Sequence, residues 1–453
     1  MIKKKINRRK FISTLSAGTA AGAISPGILP PFYINSGSNT LAAMGGTPVV
    51  PSAKIGVDWP YIDENVVNSV VETTKSGIWS RIQSRNGKVP TFEGVFAEMM
   101  NAGYCVATGS GTQALSTAVF ALGIGPGDEV ITSPYSDFGT ISSILTCRAL
   151  PVLADLDPES FQLDPKKVEK KINANTKAIM PVHISGLPAN MEEIMELAEK
   201  YNLKVIEDAC QAPFSRYQGQ EIGLIGDLGC ISFQASKAIA CGEGGAVIGN
   251  DKELMEECYT IQNRGSSRQG KNETIGPKYR MNEFEGAVLM GQIKGAKERF
   301  YTRDKNATFL NDQFKDLPGA KPQKQYDGTE SGSYYRYALS YNQEAFNGAD
   351  RSKFLKAVVA EGIPLSSYIR NGFHREPWVD HVLGLKEYQT MYSSERLMEF
   401  KESMDMPNCD KVTDETHVSL WGSGILLGSQ EEMQMIVDGV MKVYENRHQL
   451  KDL

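Results

Sequence analysis

The sequence predicts an α/β fold with a mainly parallel sheet and helices on both faces. From Tyr104 onward, short apolar runs alternate with helical patterns, as expected for strands joined by helices. The chain has 453 residues, which is long enough for two domains that share a large core. The predicted strands are 104–107, 129–132, 150–154, 178–182, 205–207, 229–233 and 246–249.

The helices follow from apolar side chains at helical spacing. They are predicted over 63–76, 92–100, 114–122 and 191–201, followed by one long helix over 283–314. The remainder of the chain predicts a smaller α/β domain with a strand at 334–339 and helices at 351–360 and 431–444. We therefore predict an N-terminal segment over 1–40, a large domain over 41–300 and a small domain over 301–453.

Composition narrows the classes of function. The formal charge of −6 argues against a nucleic-acid partner, which requires a basic face. The seven cysteines are an odd number without metal-ligand spacing, so we expect neither a disulfide framework nor a metal site. No apolar run after the N-terminus is long enough to span a membrane.

The first forty residues are interpreted as an export signal and a linker. Met1–Lys10 contains six basic residues, and the stretch from Phe11 to Ile24 is mildly apolar. The run Arg8-Arg9-Lys10-Phe11-Ile12 resembles a twin-arginine signal, so we expect export, to the periplasm. Residues 25–39 are rich in Pro, Gly and Ser and are expected to form a linker. A basic amphipathic tail is the alternative.

Lys237 lies on a predicted tight connection between two buried strands. The apolar run 228–233 leads into Gln234-Ala235-Ser236-Lys237, and Gly242-Glu243-Gly244-Gly245 leads into the next strand. A lysine amine held away from water at such a place can act as a nucleophile and form a Schiff base. A lone lysine in such a pattern is more often a surface residue on a hairpin, so the interpretation of Lys237 depends on the neighbouring motifs.

Two further motifs precede Lys237 in the chain. Asp208 ends the strand at 205–207, where open α/β sheets bind ligands, and its carboxylate could hold a protonated ring nitrogen or simply cap a segment. The run 108–113, Thr-Gly-Ser-Gly-Thr-Gln, opens a helix after a strand and is a candidate phosphate site, although such turns also cap ordinary helices. Phosphate turn, Asp208 and Lys237 occur in the order found in pyridoxal-phosphate enzymes.

Five ordered motifs resemble those of the DegT/DnrJ/EryC1/StrS family of sugar aminotransferases. They are Gly-Ser-Gly-Thr-Gln-Ala-Leu (109–115), Pro-Val-His-Ile-Ser-Gly-Leu-Pro-Ala-Asn-Met (181–191), Ile-Glu-Asp-Ala-Cys-Gln-Ala (206–212), Ser-Phe-Gln-Ala-Ser-Lys with Gly-Glu-Gly-Gly (232–245), and Tyr-Arg-Met-Asn-Glu-Phe-Glu-Gly-Ala (279–287). The likeness runs from about Ala43 to Val443. Gln234 and the glycine run are most similar to the branch of glutamine:scyllo-inosose aminotransferases and aminohydroxybenzoate synthases.

The resemblance implies the fold type I, aspartate aminotransferase-like, of pyridoxal-phosphate transferases, with a large cofactor-binding domain and a smaller C-terminal domain. It implies that Lys237 holds pyridoxal 5'-phosphate covalently and moves protons, while Asp208 keeps the ring nitrogen protonated. It also implies a homodimer with a shared active site. The residues implied to contact the cofactor are Gly111, Thr112, Gln113, Asp208, Gln211, Ser232, Lys237 and, toward the partner subunit, Arg280.

Two positions depart from the family pattern. Asp137 stands where much of the family has an aromatic residue that stacks on the cofactor ring, so Tyr135 or Phe138 could supply that contact. Lys278 stands where Asn is frequent. The substrate-side candidates are Trp79, Arg81, His183, His374 and Arg375, and each also has an ordinary structural interpretation as a packing, hydrogen-bonding or surface residue.

We therefore expect a homodimeric aminotransferase that moves an amino group from glutamate or glutamine to a keto-sugar or keto-cyclitol. A free sugar or cyclitol suits an exported protein better than a nucleotide-linked sugar. Three alternatives stay open. A family dehydratase would carry His in place of Lys237, an aminohydroxybenzoate-type synthase would keep the lysine, and a non-catalytic exported sugar-binding protein would not need both Lys237 and Asp208.

Overall fold

A seven-stranded sheet lies at the centre of the molecule, for which a computed structural model describes residues 40–50 and 54–453. The predicted export signal and linker therefore lie outside the described residues. With strands numbered in chain order, the sheet contains from edge to edge β1 (Tyr104–Thr108), β9 (Gly245–Gly249), β8 (Leu228–Ser232), β5 (Lys204–Asp208), β4 (Thr176–Met180), β2 (Glu129–Thr132) and β3 (Leu150–Leu153). Strand β9 runs antiparallel to β1 and β8, and the other neighbours are parallel.

Helices cover both faces of this sheet, which explains why its strands are almost continuously apolar. On one face Phe92 and Phe96 pack with Ile131, and on the other Leu115 packs with Val130. The helices of this part are α1 (Glu64–Ser76), α2 (Lys88–Met99), α3 (Gly111–Ala121), α4 (Gly139–Thr146), α5 (Pro165–Glu169), α6 (Met191–Tyr201), α7 (Lys252–Gln262), α8 (Glu283–Gln292) and α9 (Ala296–Phe314).

A second, antiparallel sheet organises the C-terminal part. Its strands are β10 (Ala320–Pro322), β12 (Arg336–Tyr341) and β13 (His417–Trp421), and a third small sheet pairs β11 (Thr329–Ser331) with β6 (Arg216–Tyr217) and β7 (Gln220–Glu221). The helices here are α10 (Arg351–Ala360), α11 (Trp378–Gly384), α12 (Lys386–Met391), α13 (Ser394–Glu402), α14 (Pro407–Lys411), α15 (Gly422–Ile425) and α16 (Gln430–Glu445).

The predicted strands of the large sheet are confirmed to within two residues at each end, but the single helix predicted over 283–314 is wrong. It is two helices, α8 and α9, because Gly295 adopts a left-handed conformation with φ of 78°. Most residues other than glycine avoid that conformation, so the glycine allows the chain to turn between the two helices.

Helix α9 belongs to two cores. Ala296 and Phe300 pack with the core of the large sheet, whereas Leu310 and Phe314 pack with the core of the second sheet. Residues 40–453 form one compact unit, and the domain boundary near residue 300 stays a prediction. Within the described ranges, no helix is long and apolar enough to cross a membrane, and no group of His, Cys, Asp and Glu is placed to hold a metal ion.

Candidate active site

A cavity of about 380 Å³ opens where β5 and β8 end and α3 begins. This is the edge of an open α/β sheet at which ligands bind. Six residues predicted from the sequence to contact a cofactor line it together, namely Gly111, Thr112, Asp208, Gln211, Ser232 and Lys237. The other lining residues are Ser110, Leu115, Ser136, Asp137, Gly139, Thr140, Cys210, Gln234, Ser236, Glu243, Tyr335 and Tyr368.

Lys237 reaches this cavity from the connection between β8 and β9. Backbone hydrogen bonds cross-link that connection, from Phe233 N to Gly244 O at 2.8 Å and from Ala235 N to Gly242 O at 2.9 Å. The side chain of Lys237 is 9% exposed, and its Nζ lies 4.3 Å from the centre of the Tyr335 ring. The reactive amine is thus nearly buried and directed into the cavity.

Asp208 is the last residue of β5 and is 4% exposed. Its Oδ2 accepts a hydrogen bond from Thr140 Oγ1 at 2.8 Å, and Thr140 Oγ1 lies 2.8 Å from Ser136 Oγ. Its Oδ1 accepts a longer bond from the Cys210 N–H at 3.3 Å. These contacts fix the orientation of a buried carboxylate that faces the cavity.

The N-terminus of α3 supplies the features of an anion site. Ser110 caps the helix by accepting the Gln113 N–H at 3.1 Å, whereas the N–H groups of Gly111 and Thr112 belong to the first turn and have no acceptor within the helix. A Cβ on Gly111 would lie 2.8 Å from Ser232 Cβ and 3.0 Å from Cys210 Sγ, so a glycine is required there. Free N–H groups and the positive end of the helix dipole favour a phosphate. Gln113 does not line the cavity, and its backbone N–H is already bonded to Ser110 Oγ, so its contact with the cofactor stays a prediction.

Two tyrosines, rather than the predicted aromatics, face the cavity. Tyr335 and Tyr368 line it with their rings 6.2 Å apart, and burial together with Tyr335 raises the pKa of Tyr368. Tyr135 is fully buried behind Tyr368, and Phe138 is 45% exposed against Phe373. Neither Tyr135 nor Phe138 lines the cavity, and a stacking contact of either with a cofactor ring stays a prediction.

Gln211 and Asp137 line the cavity with defined partners. Gln211 Oε1 accepts the Ser185 N–H at 2.8 Å, and its Nε2 donates to Tyr368 Oη at 3.3 Å. Asp137 Oδ1 accepts the Gly139 N–H at 2.9 Å at the start of α4. The position that departs from the family pattern thus carries a carboxylate at the cavity wall.

His183 is held by protein groups and does not line the cavity, and its role toward a substrate stays a prediction. Its ring is fully buried, with Nδ1 accepting the Ala189 N–H at 3.0 Å and Nε2 lying 3.1 Å from Glu207 Oε2. Because Nδ1 accepts, Nε2 carries the proton and donates to Glu207. Glu207 also accepts backbone N–H groups from residues 223, 225 and 226 at 2.7–2.8 Å, so the pair ties β5 to the loop before β8.

Trp79 and Arg81 also lie outside the cavity. Arg81 is 5% exposed and forms a two-pronged ion pair with Glu93 at 2.7 and 2.8 Å, while its Nη1 donates to Ala107 O. Trp79 is 52% exposed, with its ring 5.7 Å from that of Phe284. The guanidinium of Arg81 therefore holds α2 to β1, and the substrate role of Arg81 and Trp79 stays a prediction.

His374 and Arg375 pair with carboxylates outside the cavity, and their substrate role stays a prediction. His374 Nε2 lies 2.7 Å from Asp410 Oδ1. Arg375 pairs with Asp414 at 2.8 Å and with Asp410 at 2.6 Å, and these contacts, Asp414 first, raise its pKa. Within the same predicted loop, 368–378, Tyr368 is the residue that lines the cavity.

Arg280 does not line the cavity of its own chain. Its Nη1 donates to Asn263 Oδ1 at 3.1 Å, and its backbone bridges Thr108 beside the phosphate turn. Burial, and then Arg264 and Arg81, lower the pKa of Arg280. A role toward a partner subunit stays a prediction, as does the departure at Lys278.

Sequence reasoning missed Thr140, Ser236 and Tyr335. Thr140 is the second residue of α4, shortly after the position at which the sequence predicted an aromatic contact, and its hydroxyl is the signal that points to Asp208. Tyr335 lies just before β12, and nothing in its local pattern distinguishes it from the neighbouring Tyr334. It reaches Lys237 only because the second sheet packs against the cavity.

The part of the chain that forms the cavity matches a known protein family. The sequence model of the DegT/DnrJ/EryC1/StrS aminotransferase family matches residues 60–419, which is most of the chain and includes every residue that lines the cavity. The chain belongs to the DegT/DnrJ/EryC1/StrS aminotransferase family. Aminotransferases of this family depend on pyridoxal phosphate, and their fold is the fold type I predicted from the sequence.

Individual members of the DegT/DnrJ/EryC1/StrS family align over most of the chain. The L-glutamine:2-deoxy-scyllo-inosose aminotransferase of Streptoalloteichus tenebrarius is 31% identical over 434 residues, 91% of this chain and 99% of that protein. The GDP-perosamine synthase of Caulobacter vibrioides is 36% identical over 254 residues, 56% of this chain and 68% of that protein. Among solved structures, 3-amino-5-hydroxybenzoic acid synthase has a TM-score of 0.73 at 26% identity, covering 86% of this chain and 98% of that chain.

Proposed function

We propose that this aminotransferase moves the amino group of glutamine or glutamate to the carbonyl carbon of a keto-cyclitol or free keto-sugar. The observation that carries the proposal is that Lys237, Asp208 and the N-terminus of α3 line one cavity. The full-length similarity to an L-glutamine:2-deoxy-scyllo-inosose aminotransferase supports both the donor and the acceptor class.

The residues of the cavity fit pyridoxal 5'-phosphate. The free N–H groups of Gly111 and Thr112 suit its phosphate, the missing Cβ of Gly111 leaves room for close approach, and Ser232 lies beside them. Asp208 suits the ring nitrogen, and Lys237 suits the carbonyl carbon. When bound, the cofactor acts as an electron sink and carries the amino group between the two substrates.

The chain's own residues have three tasks in this reaction. The amine of Lys237, once free, takes a proton from the donor carbon that bears the amino group and later returns a proton to the acceptor carbon. Asp208, oriented by Thr140, stabilises positive charge on the ring nitrogen. Tyr335 and Tyr368 limit access of water to the amine, since both cover the cavity next to Lys237.

A dehydrating synthase is the second candidate. The structural similarity to 3-amino-5-hydroxybenzoic acid synthase favours it, and such a reaction also uses the lysine. The two candidates differ in their products, because the synthase removes water from a ring that becomes aromatic, whereas the aminotransferase delivers nitrogen to a saturated ring.

We also propose that the chain works as a homodimer. Large apolar side chains are exposed on α1, at Val67 and Val71, and on the segments directly before and after it, at Ile62, Trp79 and Ile82. Exposed apolar surface of this kind commonly marks a protein interface. A dimer would also give Arg280 the partner cofactor that the family resemblance implies. Sedimentation of the wild-type protein, compared with a Val67→Glu, Val71→Glu variant that should be monomeric, tests the interface.

Export through the twin-arginine route is a further part of the proposal. The run Arg8-Arg9-Lys10-Phe11-Ile12 supports it, and that route carries folded protein with its cofactor already bound. A free sugar or cyclitol is then the expected acceptor. Replacing both Arg8 and Arg9 by Lys should leave folded, cofactor-loaded protein in the cytoplasm, and normal export of that variant would contradict the proposal.

The proposed function is tested by following the transfer of an isotope-labelled amino group from glutamine to the product. Purified protein is incubated with glutamine labelled with ¹⁵N at its α-amino group and a panel of keto-cyclitols, free keto-sugars and nucleotide-linked keto-sugars, and products are weighed by mass spectrometry. The proposal predicts a labelled amine on a saturated free ring, and no product with Lys237→Ala. A dehydrated aromatic product would establish the synthase, label only on a nucleotide-linked sugar would contradict the acceptor class, and no labelled product would contradict amino transfer.

A further inference from the structure

Three side chains from distant parts of the sequence hold the backbone carbonyls of Ser236 and Lys237. The Trp59 indole N–H donates to Lys237 O at 3.0 Å. The Trp421 indole N–H donates to Ser236 O at 3.1 Å, and Ser423 Oγ donates to the same oxygen at 2.8 Å. Two successive carbonyls at the reactive lysine are therefore fixed by donors that lie 178–187 residues away.

All three donors lie outside the β8–β9 connection, on β13, on α15 and on the N-terminal segment that is bonded to α15. Trp421 ends β13, where it pairs with Arg336 of β12, and Ser423 lies fully buried in α15. The segment before Trp59 is tied to the same turn, since the Val57 N–H donates to Gly424 O at 3.1 Å. The lysine is thus anchored to the second sheet and to the N-terminal segment.

The indole ring of Trp59 also contacts a buried arginine, Arg303. The Arg303 guanidinium lies 5.9 Å from the centre of its ring, and Arg303 is 1% exposed with Nε and Nη1 lacking a hydrogen-bond partner in the described structure. A buried cation without an anionic partner is attracted to an aromatic face. Arg303 therefore limits the positions that the Trp59 N–H can take.

The position of the Lys237 amine depends on these three hydrogen bonds to the backbone. Apart from the ring of Tyr335, the described structure shows no side-chain partner for its amine, so the position of Nζ follows from its backbone and four rotatable bonds. A shift of about 1 Å at a reacting group can lower a rate by roughly 100-fold. Small movements of the connection would thus displace the amine from the carbon on which it acts.

We propose that Trp59, Trp421 and Ser423 form a carbonyl clamp, a set of positioning residues that fixes Lys237 from the second sheet and the N-terminal segment. The consequence for amino transfer rests on the proposed function. The clamp itself is a property of the chain, because its three bonds join protein groups only. Any movement of the second sheet relative to the large one would also move the reactive amine.

Each variant removes one or two donors. Ser423→Ala nearly keeps the shape of the side chain, whereas each Trp→Phe change also removes part of the indole, which the Trp378→Phe control matches. Trp421→Phe and Ser423→Ala, singly and together, release the Ser236 carbonyl, and Trp59→Phe releases that of Lys237. Trp378→Phe is the matched control, because the Trp378 indole N–H donates to a backbone carbonyl, that of Phe373, at 2.7 Å, away from Lys237. The single Ser423→Ala variant keeps the test open if the double variant does not fold.

The first readout is hydrogen–deuterium exchange of cofactor-free protein, resolved to peptides that contain 233–244. Loss of one such hydrogen bond should speed local exchange about fivefold, and the control should leave these peptides unchanged. The second readout is the rate at which an amine-directed acylating reagent modifies Lys237, compared with exposed lysines in the same sample. We expect a changed rate at Lys237 alone in the clamp variants.

The third readout is kinetic. We expect kcat to fall about tenfold in the double variant, with the affinity for the cofactor phosphate within about twofold of wild type. Unchanged exchange and unchanged labelling of Lys237 in all four clamp variants would overturn the clamp, as would equal changes in the Trp378→Phe control. If the wild-type protein transfers no amino group, the proposed function fails, and exchange and labelling still decide the clamp.

Discussion

The amine of Lys237 lies 4.3 Å from the centre of the Tyr335 ring, and Tyr335 Oη lies 3.1 Å from Ser236 Oγ. One tyrosine thus contacts both the reactive side chain and its neighbour in the chain. The face of the ring attracts an ammonium group, so in the proposed reaction Tyr335 would hold the side chain of Lys237 in this position whenever its amine carries the proton.

Tyr335→Leu should slow the reaction more than Tyr335→Phe. A cation–π contact contributes about 0.5–2 kcal/mol, and the Phe variant keeps the ring while losing only the hydroxyl contact with Ser236. We expect kcat to fall roughly tenfold in Tyr335→Leu and less than about threefold in Tyr335→Phe. Single-turnover rates with glutamine test this, and equal losses in the two variants would show that the ring face is unimportant.

Asp208→Asn should retain the cofactor and lose nearly all turnover, because a neutral amide cannot keep the ring nitrogen protonated. Thr140→Val should have a milder effect, since it keeps the carboxylate and removes only the hydroxyl that contacts Asp208 and Ser136. Steady-state rates and cofactor content of both variants are the measurements. A loss of only two- or threefold in Asp208→Asn would remove this residue from that role.

Gly111→Ala should weaken cofactor binding without unfolding the protein. The new Cβ would lie 2.8 Å from Ser232 Cβ, and overpacking of this kind costs about 1–3 kcal/mol. Because the clash displaces Ser232 at the proposed phosphate site, a cost of this size corresponds to roughly five- to 150-fold weaker binding in a titration of cofactor-free protein. Gly94→Ala is the control, because Gly94 lies within α2 with open space around it, and this change should stabilise the protein slightly.

His417 should make the protein less stable in mild acid. Burial, and then Arg336 and Arg351, lower its pKa to about 3, and neither ring nitrogen has a hydrogen-bond partner in the described structure. Because the unfolded chain binds this proton near pH 6.5 and the folded chain does not, stability is lost as the pH falls below 6.5.

The effect of His417 can be isolated with His417→Phe, which keeps an aromatic ring beside Phe161. Between pH 6.5 and 5.0, wild type should lose about 1.5 kcal/mol more unfolding free energy than this variant. Urea unfolding at the two pH values tests it. Parallel losses in both proteins would mean that His417 is protonated in the folded state or that its proton is not coupled to unfolding.

The large sheet and the residues Asp208 and Lys237 of the cavity could be predicted because the sequence patterns that indicate them are local. Buried parallel strands give continuous apolar runs, and the phosphate turn, Asp208 and Lys237 each follow or precede such a run. The break between α8 and α9 was missed because helical patterns continue on both sides of Gly295. A single left-handed glycine carries little weight against thirty residues of helical pattern.

The surroundings of the site could not be predicted because they depend on partners far away in the chain. Arg81 and His374 have the chemistry of substrate ligands, but Glu93 and Asp410 occupy them in the fold. Tyr335, Trp59 and Trp421 reach Lys237 only through packing of the second sheet and the N-terminal segment. No local pattern distinguishes these residues from ordinary core aromatics.

The most direct test follows the absorption of the cofactor linked to Lys237 while amino donors are added without an acceptor. Borohydride should fix the cofactor on Lys237. Glutamine or glutamate should remove the absorption band, and a keto-cyclitol or keto-sugar should restore it. Lys237→Ala should lack the band but still bind the cofactor weakly through the N-terminus of α3. A band that none of glutamate, glutamine, alanine and aspartate removes from the wild-type protein would contradict amino transfer.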